Sequence, residues 1–165
     1  QRGFDISIDS EGFELPTSIA FVPNPGTAPQ DPLYYVTELF GKVKVVTNDR
    51  RVHIFAEDFF HLESGAQLTQ QVGLAGICLD PVRGYVFVTF AYSDSEDILR
   101  NNIVRFQSTP GTFSRAPASQ VEFTEVFASY RSSNSYSARV PCAMLVKLTV
   151  SMIYSECPVT RRFDL

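Results

Sequence analysis

The chain has 165 residues, of which 44% are hydrophobic, and this is enough for a globular domain with a sizeable core. Its net charge of −4 and its lack of any run of Lys or Arg argue against nucleic acid as a partner, because phosphate binding needs a concentrated basic surface. The longest apolar stretch, residues 140–154, is interrupted by Lys147 and is too short to span a membrane.

The first candidate element is a strand at the beginning of the chain. Phe4, Ile6 and Ile8 alternate with other residues, and a period of two is typical of a half-buried strand. Further along, Val43 and Val45 alternate with lysines, which predicts another strand with one face against the core.

A sequence unit then occurs twice, in residues 15–47 and in residues 73–108. Each copy has an apolar strand ending in Pro, a turn, a strand containing Val-Thr, a polar loop and a third alternating strand. The first copy reads LPTSIAFVP, LYYVTE and GKVKVVT, and the second reads GLAGICLDP, GYVFVTFAY and NNIVRFQS. Self-similarity at this spacing predicts a repeat architecture, and several short strands per unit indicate the blades of a β-propeller.

We therefore predict an all-β fold in which residues 1–165 are the N-terminal part of one β-propeller domain. Blade one spans residues 15–62 and blade two spans residues 73–127. Residues 138–165 form an atypical tail, because they contain no Gly to make the turns of a third blade. A propeller closes with four to eight blades, so the chain is expected to be a partial one of two to three blades from a longer protein. The open strand edges of such a chain predict association with other chains.

Three further features receive structural interpretations. Cys78 lies in an apolar strand pattern and is predicted to be a small core residue, and a disulfide between Cys142 and Cys157 is left open. Glu38 ends the second strand of blade one and is predicted to form structural hydrogen bonds near a turn. The acidic loop at residues 93–102 has clustered carboxylates but lacks the Gly and terminal Glu of an EF-hand, so it is interpreted as a solvated loop and no metal site is predicted.

The string GLAGICLDPVRGYVFVTFAY, followed by NNIVRF, resembles the second blade of the glucose/sorbosone dehydrogenase family. The first-blade string LPTSIAFVP…LYYVTELFGKVKVV is similar to the same family. The resemblance covers residues 12–136. It implies a six-bladed β-propeller, and the family includes quinoprotein sugar dehydrogenases that use pyrroloquinoline quinone (PQQ) and calcium. It also suggests an extracellular or periplasmic location.

The resemblance assigns roles to two residues. Gln71 lies where family enzymes place a glutamine near the sugar and the quinone, and an amide both donates and accepts hydrogen bonds to a hydroxyl. Tyr136 stands where the family has the histidine that acts as general base. A tyrosine with its ordinary pKa near 10 is a poor base at neutral pH, so this departure puts the family chemistry in question. Cofactor-binding residues are expected on blades beyond this chain.

Two functions follow from this sequence. In the first, the intact parent oxidises a sugar or alcohol hydroxyl by hydride transfer to PQQ, with calcium holding the quinone, and the 165 residues by themselves are inactive. In the second, the chain is part of a non-catalytic propeller that serves as a binding or scaffold module, since one fold supports many functions. Tyr136 favours the second function, and the second-blade pattern with Gln71 favours the first.

Overall fold

The computed structural model describes residue 3 and residues 6–60, 72–93 and 99–128, without the side chains of residues 93, 99, 100 and 121–128. These described residues form eight β-strands, in two antiparallel sheets of four strands, and no helix. The strands of the first sheet are β1 (Pro16–Phe21), β2 (Pro32–Glu38), β3 (Lys42–Thr47) and β4 (Val52–Ala56). The strands of the second are β5 (Gly73–Asp80), β6 (Tyr85–Ser93), β7 (Leu99–Gln107) and β8 (Ser119–Ala128).

In each sheet the strands lie side by side in chain order, so each sequence copy forms one four-stranded antiparallel meander. The registers are analogous: Ile19 pairs with Val36 in the first sheet, and Ile77 pairs with Val88 in the second. Such a meander is the blade of a β-propeller. The all-β prediction and the repeat are thus confirmed in the described part of the chain.

The two sheets pack face to face around one apolar core. Alternate residues of β2 and β3 supply the side from the first sheet, because successive side chains of a strand point to opposite faces. Val43 and Val45 are fully buried there, as their alternation predicts. The rest of this core comprises chiefly Tyr35, Phe55, Leu74, Ile77, Val86, Val88, Phe90, Val104, Phe106 and Phe113.

The other face of the first sheet carries a smaller cluster of Tyr34, Val36 and Val46. Phe13, which precedes β1, packs against this cluster. We call this side of the sheet the strap face, and the side against the second sheet the inter-blade face.

The strand predicted at the beginning of the chain is not formed at Ile6 and Ile8. Their side chains are 93% and 77% exposed, and Phe4 lies outside the described residues. A strand needs hydrogen-bonding partners and an apolar surface for its inward side chains, and within the described residues no neighbouring strand supplies them here. Periodicity in the sequence carries no information about a pairing partner.

Cys78 is 1% exposed, which confirms its prediction as a core residue. It is also disulfide-bonded, which its strand pattern did not indicate, and the other half of the bond lies outside the described residues. Among the residues described, no helix has the length and apolar character needed to cross a membrane.

Candidate functional site

Three connections meet at one end of the two sheets. Because neighbouring strands are antiparallel, β1 begins at the end at which β2 ends and β3 begins. The hydrogen bond from Leu74 N to Leu39 O brings the beginning of β5 to the same end. We call this the entry end. The turn between β2 and β3, residues 39–41, lies between Leu15, which precedes β1, and the first residues of β5.

Glu38 is the last residue of β2 and is 2% exposed. Its Oε1 accepts a hydrogen bond from the Nζ of Lys44 at 2.7 Å and another from the backbone N–H of Glu14 at 2.6 Å. Its Oε2 is buried and has no hydrogen-bond partner in the described part of the chain. Because Glu38 pairs with Lys42 across the hairpin, Lys44 lies on the same face two pairs further along, and its long side chain reaches back to the carboxylate.

Lys44 is enclosed by the residues that precede β1. Its side chain is 12% exposed, and its Nζ also donates to the carbonyl oxygen of Gly12 at 2.7 Å. The same Nζ lies 5.9 Å from the centre of the Phe13 ring, within the range of a cation–π contact. Hydrogen bonds with a charged donor and a charged acceptor are stronger than neutral ones, so this buried pair is a firm connection between the sheet and the preceding residues.

Residues 9–15, which we call the strap, have a second polar attachment on the strap face. The Tyr34 hydroxyl donates to Oδ2 of Asp9 at 2.6 Å, and the Nε of Arg50 lies 2.8 Å from Oδ1 of the same carboxylate. Burial, followed by the hydrogen bond to Asp9, raises the pKa of Tyr34 above its usual value. Tyr34 therefore stays a neutral hydrogen-bond donor, and the strap is held at both ends.

The turn at residues 39–41 contacts both described ends of the connection between the blades. Leu39 donates its N–H to Leu15 O at 3.0 Å and accepts at its own carbonyl oxygen from Leu74 N, also at 3.0 Å. A Cβ on Gly73 would lie 2.6 Å from Leu39 O, and a Cβ on Gly41 would lie 2.7 Å from Phe60 O. Both glycines have positive φ, 125° for Gly73 and 106° for Gly41, so glycine is required here for conformation and for space.

The two residues predicted for the site, Gln71 and Tyr136, lie outside the described residues. The nearest described neighbours of Gln71 are Val72 and Gly73, and they place the end of its connection at the entry end. The hydrogen-bonding role predicted for Glu38 is observed. Its partners Lys44 and Glu14 were missed, although the order Glu38–Gly41–Lys44 puts opposite charges on one face of a tight hairpin and is a readable signal.

The described residues contain no group of three or more His, Cys, Asp or Glu side chains that could hold a metal ion. Residues 94–98 of the acidic loop lie outside the description. One buried carboxylate oxygen without a partner, on Glu38, does not amount to the six to eight oxygens that calcium requires.

Comparisons with known proteins relate the chain to solved structures. No family model matches it, and no curated protein does. A crystal structure of glucose dehydrogenase is similar over 69% of this chain and 30% of its own, with a TM-score of 0.50 and 19% identity. A second glucose dehydrogenase has a TM-score of 0.50 and 18% identity over 69% of this chain and 31% of its own. The soluble aldose sugar dehydrogenase of Escherichia coli, in the apo-form, has a TM-score of 0.48 and 11% identity over 68% of this chain and 30% of its own.

The likeness to the glucose dehydrogenases confirms the resemblance read from the sequence at the level of the fold. The fold is that of part of a β-propeller, with the two sheets as blades. The chain spans about 30% of the length of the solved structures it matches.

Proposed function

We propose that this chain is the N-terminal part of a glucose/sorbosone dehydrogenase-like protein, which in its intact form oxidises a sugar or alcohol hydroxyl by hydride transfer to PQQ. The observation that carries this proposal is the shared fold with two glucose dehydrogenases. The second-blade sequence GLAGICLDP…GYVFVTFAY…NNIVRF supports it independently, because it follows the pattern of that family.

In this proposal Gln71 orients the substrate. Its amide accepts a hydrogen bond from one sugar hydroxyl and donates to another atom of the substrate, which fixes the ring before reaction. The position of the general base is occupied by Tyr136, whose ordinary pKa near 10 makes it a weak base at neutral pH. In this proposal Gln71 orients the substrate, and Tyr136, at the position of the base, removes its proton poorly.

PQQ, when bound, supplies the hydride acceptor, and calcium holds and polarises it. Residues of other blades are proposed to bind both, so the 165 residues by themselves are expected to be inactive. An extracellular or periplasmic location fits the disulfide at Cys78, since disulfides persist in oxidising compartments.

A second candidate function is a non-catalytic binding or scaffold module of the same fold. Tyr136, in place of the histidine that the family uses as base, is the observation that favours it. Such a protein keeps the blades and loses turnover, because the fold by itself does not fix the chemistry.

The deciding experiment uses the full-length protein that contains these residues, loaded with PQQ and calcium and supplied with a reducible dye and a panel of aldoses and alcohols. Dye reduction that depends on quinone and sugar is the expected result. Gln71→Ala is expected to raise KM, Tyr136→His to raise kcat, and the neighbouring change Gln67→Ala serves as the control. If the quinone binds but no substrate is oxidised, even with Tyr136→His, the enzymatic proposal is wrong and the binding module stands.

A further inference from the structure

We propose that Glu38 and Lys44 are positioning residues that hold the turn at residues 39–41 against the strap, and thereby fix where Phe60 and Gly73 lie on either side of the connection between the blades. The functional part of this inference rests on the proposed function, because Gln71 lies two positions before Gly73. The structural part stands on the described contacts alone. We call Glu38 and Lys44 the clamp.

The clamp acts first on the strap. Glu38 and Lys44 bind each other, and each also bonds to the strap backbone, at Glu14 N–H and at Gly12 C=O respectively. The next residue, Leu39, donates its N–H to Leu15 O at 3.0 Å. Three hydrogen bonds thus join the strap backbone to the hairpin of β2 and β3, and two of them include a charged group.

The turn then acts on the connection between the blades. Leu39 O accepts a hydrogen bond from Leu74 N. The same oxygen lies 2.6 Å from the position that a Cβ on Gly73 would take. Gly41 is similarly close to Phe60 O. A displacement of this turn therefore moves Gly73, at the beginning of β5, and Phe60, which follows β4. Among the contacts of the described residues, Leu74 and Phe60 are joined to the turn and not to the clamp itself, so any effect on them must pass through the turn.

The clamp is separate from the main core. Lys44 alternates with Val43 and Val45, which are buried on the inter-blade face, so its side chain lies on the strap face. Removing the charge of Glu38 leaves the inter-blade contacts in place and leaves Lys44 with an uncompensated buried charge. The expected disturbance is local to the strap and the turn.

Hydrogen exchange of single amides in the full-length protein tests the coupling without any assay of activity. In Glu38→Gln and in Lys44→Met, the amides of Leu39 and Leu74 are expected to exchange about tenfold faster, because local opening sets their protection. The amide of Val104, in the centre of β7, is expected to exchange as in the unchanged protein. Lys44→Arg, which retains the positive charge, is expected to restore slow exchange at Leu39 and Leu74.

The matched control is Asp80→Asn in the second sheet. Like Glu38, Asp80 combines backbone hydrogen bonds with an ion pair: it accepts from Val82 N at 2.9 Å and Arg83 N at 3.2 Å and pairs with the Arg83 side chain at 3.2 Å. It lies at the end of β5 that is opposite to Gly73. This variant is expected to leave Leu39 and Leu74 unchanged. Equal acceleration of all amides in the clamp variants, or faster exchange at Leu39 without any change at Leu74, would overturn the proposed coupling.

Kinetics of the PQQ-loaded protein test the functional part. Glu38→Gln is expected to raise KM for the sugar several-fold with little change in kcat. The reason is that it shifts the start of β5, and with it the proposed substrate-orienting residue Gln71, but does not alter the groups that react. Asp80→Asn is expected to change neither constant. If the unchanged protein oxidises no sugar, and Tyr136→His does not either, the proposed function fails and the exchange data alone decide on the clamp. If it is active and Glu38→Gln has unchanged KM, the functional role of the clamp is wrong.

Discussion

Tyr35 and Ser114 are joined across the interface of the two blades: the Tyr35 hydroxyl donates to the Ser114 carbonyl oxygen at 2.5 Å. Tyr35 is fully buried, and its ring packs edge-on against Phe55 with centres 5.0 Å apart. A residue of β2 in the first sheet therefore bonds to the loop between β7 and β8 in the second. The Ser108 side chain also makes a hydrogen bond with this hydroxyl, so the buried phenol is satisfied from the second sheet.

The first prediction concerns this bond. Tyr35→Phe keeps the ring and leaves the Ser114 carbonyl without its donor, so it is expected to lower the free energy of unfolding by about 1–2 kcal/mol. Urea unfolding at neutral pH measures the loss. The control is Tyr85→Phe, since the Tyr85 hydroxyl makes no hydrogen bond among the described residues and its ring stacks with Arg105. An equal loss in both variants would contradict the role of the bond.

A second prediction concerns the pH dependence of stability. Burial is the largest cause that raises the pKa of Tyr35 well above its ordinary value of 10.0. The folded chain thus keeps the phenol protonated at a pH at which the unfolded chain has released the proton. The unfolded state then binds fewer protons, so stability is unaffected below about pH 10 and falls as the pH rises further.

Urea midpoints between about pH 7 and pH 11 check this sign, using the ordinary phenol pKa as the reference. Tyr35→Phe is expected to lose less stability than the unchanged chain above pH 10, so the difference between the two narrows there. A difference that stays constant with pH would show that Tyr35 ionises equally in both states.

The third prediction concerns Gly73. Gly73→Ala adds a Cβ 2.6 Å from Leu39 O at a φ of 125°, and both the contact and the conformation are unfavourable. Gly111 has a φ of 79° with nothing within 4 Å of its added Cβ, so Gly111→Ala isolates the conformational part. We expect Gly111→Ala to cost about 1 kcal/mol and Gly73→Ala at least about 2 kcal/mol more in thermal or urea unfolding. Equal losses of unfolding free energy in the two variants would mean that the close contact between residue 73 and Leu39 O adds no cost.

The fourth prediction concerns the energy of the clamp. Glu38→Gln and Lys44→Met each leave one buried charge without its partner, and each is expected to destabilise by about 3 kcal/mol. The double variant removes both charges and is expected to cost less than the sum, with a coupling energy of about 1–3 kcal/mol. Urea unfolding of the four proteins gives this cycle. Additive costs would show that the two groups do not interact.

The fifth prediction concerns Cys78. The chain has three cysteines, and a disulfide at Cys78 engages Cys78 and one of the other two. Alkylation of the denatured, unreduced protein is therefore expected to label one cysteine, and peptide mapping is expected to find Cys78 unlabelled until a reductant is added. Labelling of Cys78 without reductant would contradict the bond.

The sequence predicted those features that depend on alternation within one repeat. The strands around Val43 and Val45, the pairing of similar meanders and the burial of Cys78 follow from local pattern, and the structure has them. The strand at Ile6 and Ile8 was wrong because alternation does not supply a pairing partner. The bond from Tyr35 to Ser114 depends on how two sheets are stacked, which no local window records. The roles of Gln71 and Tyr136 stay predictions.

The closeness of Gly41 to Phe60 and of Gly73 to Leu39 also bears on how this scaffold can be altered. The two contacts fix the points at which the chain leaves one blade and enters the next, independently of what joins them. Recognition loops vary in sequence and length far more readily than the elements that support them. We therefore expect that a change in the number of residues between positions 60 and 73 leaves the packing of the two blades in place, as long as Gly41 and Gly73 are retained.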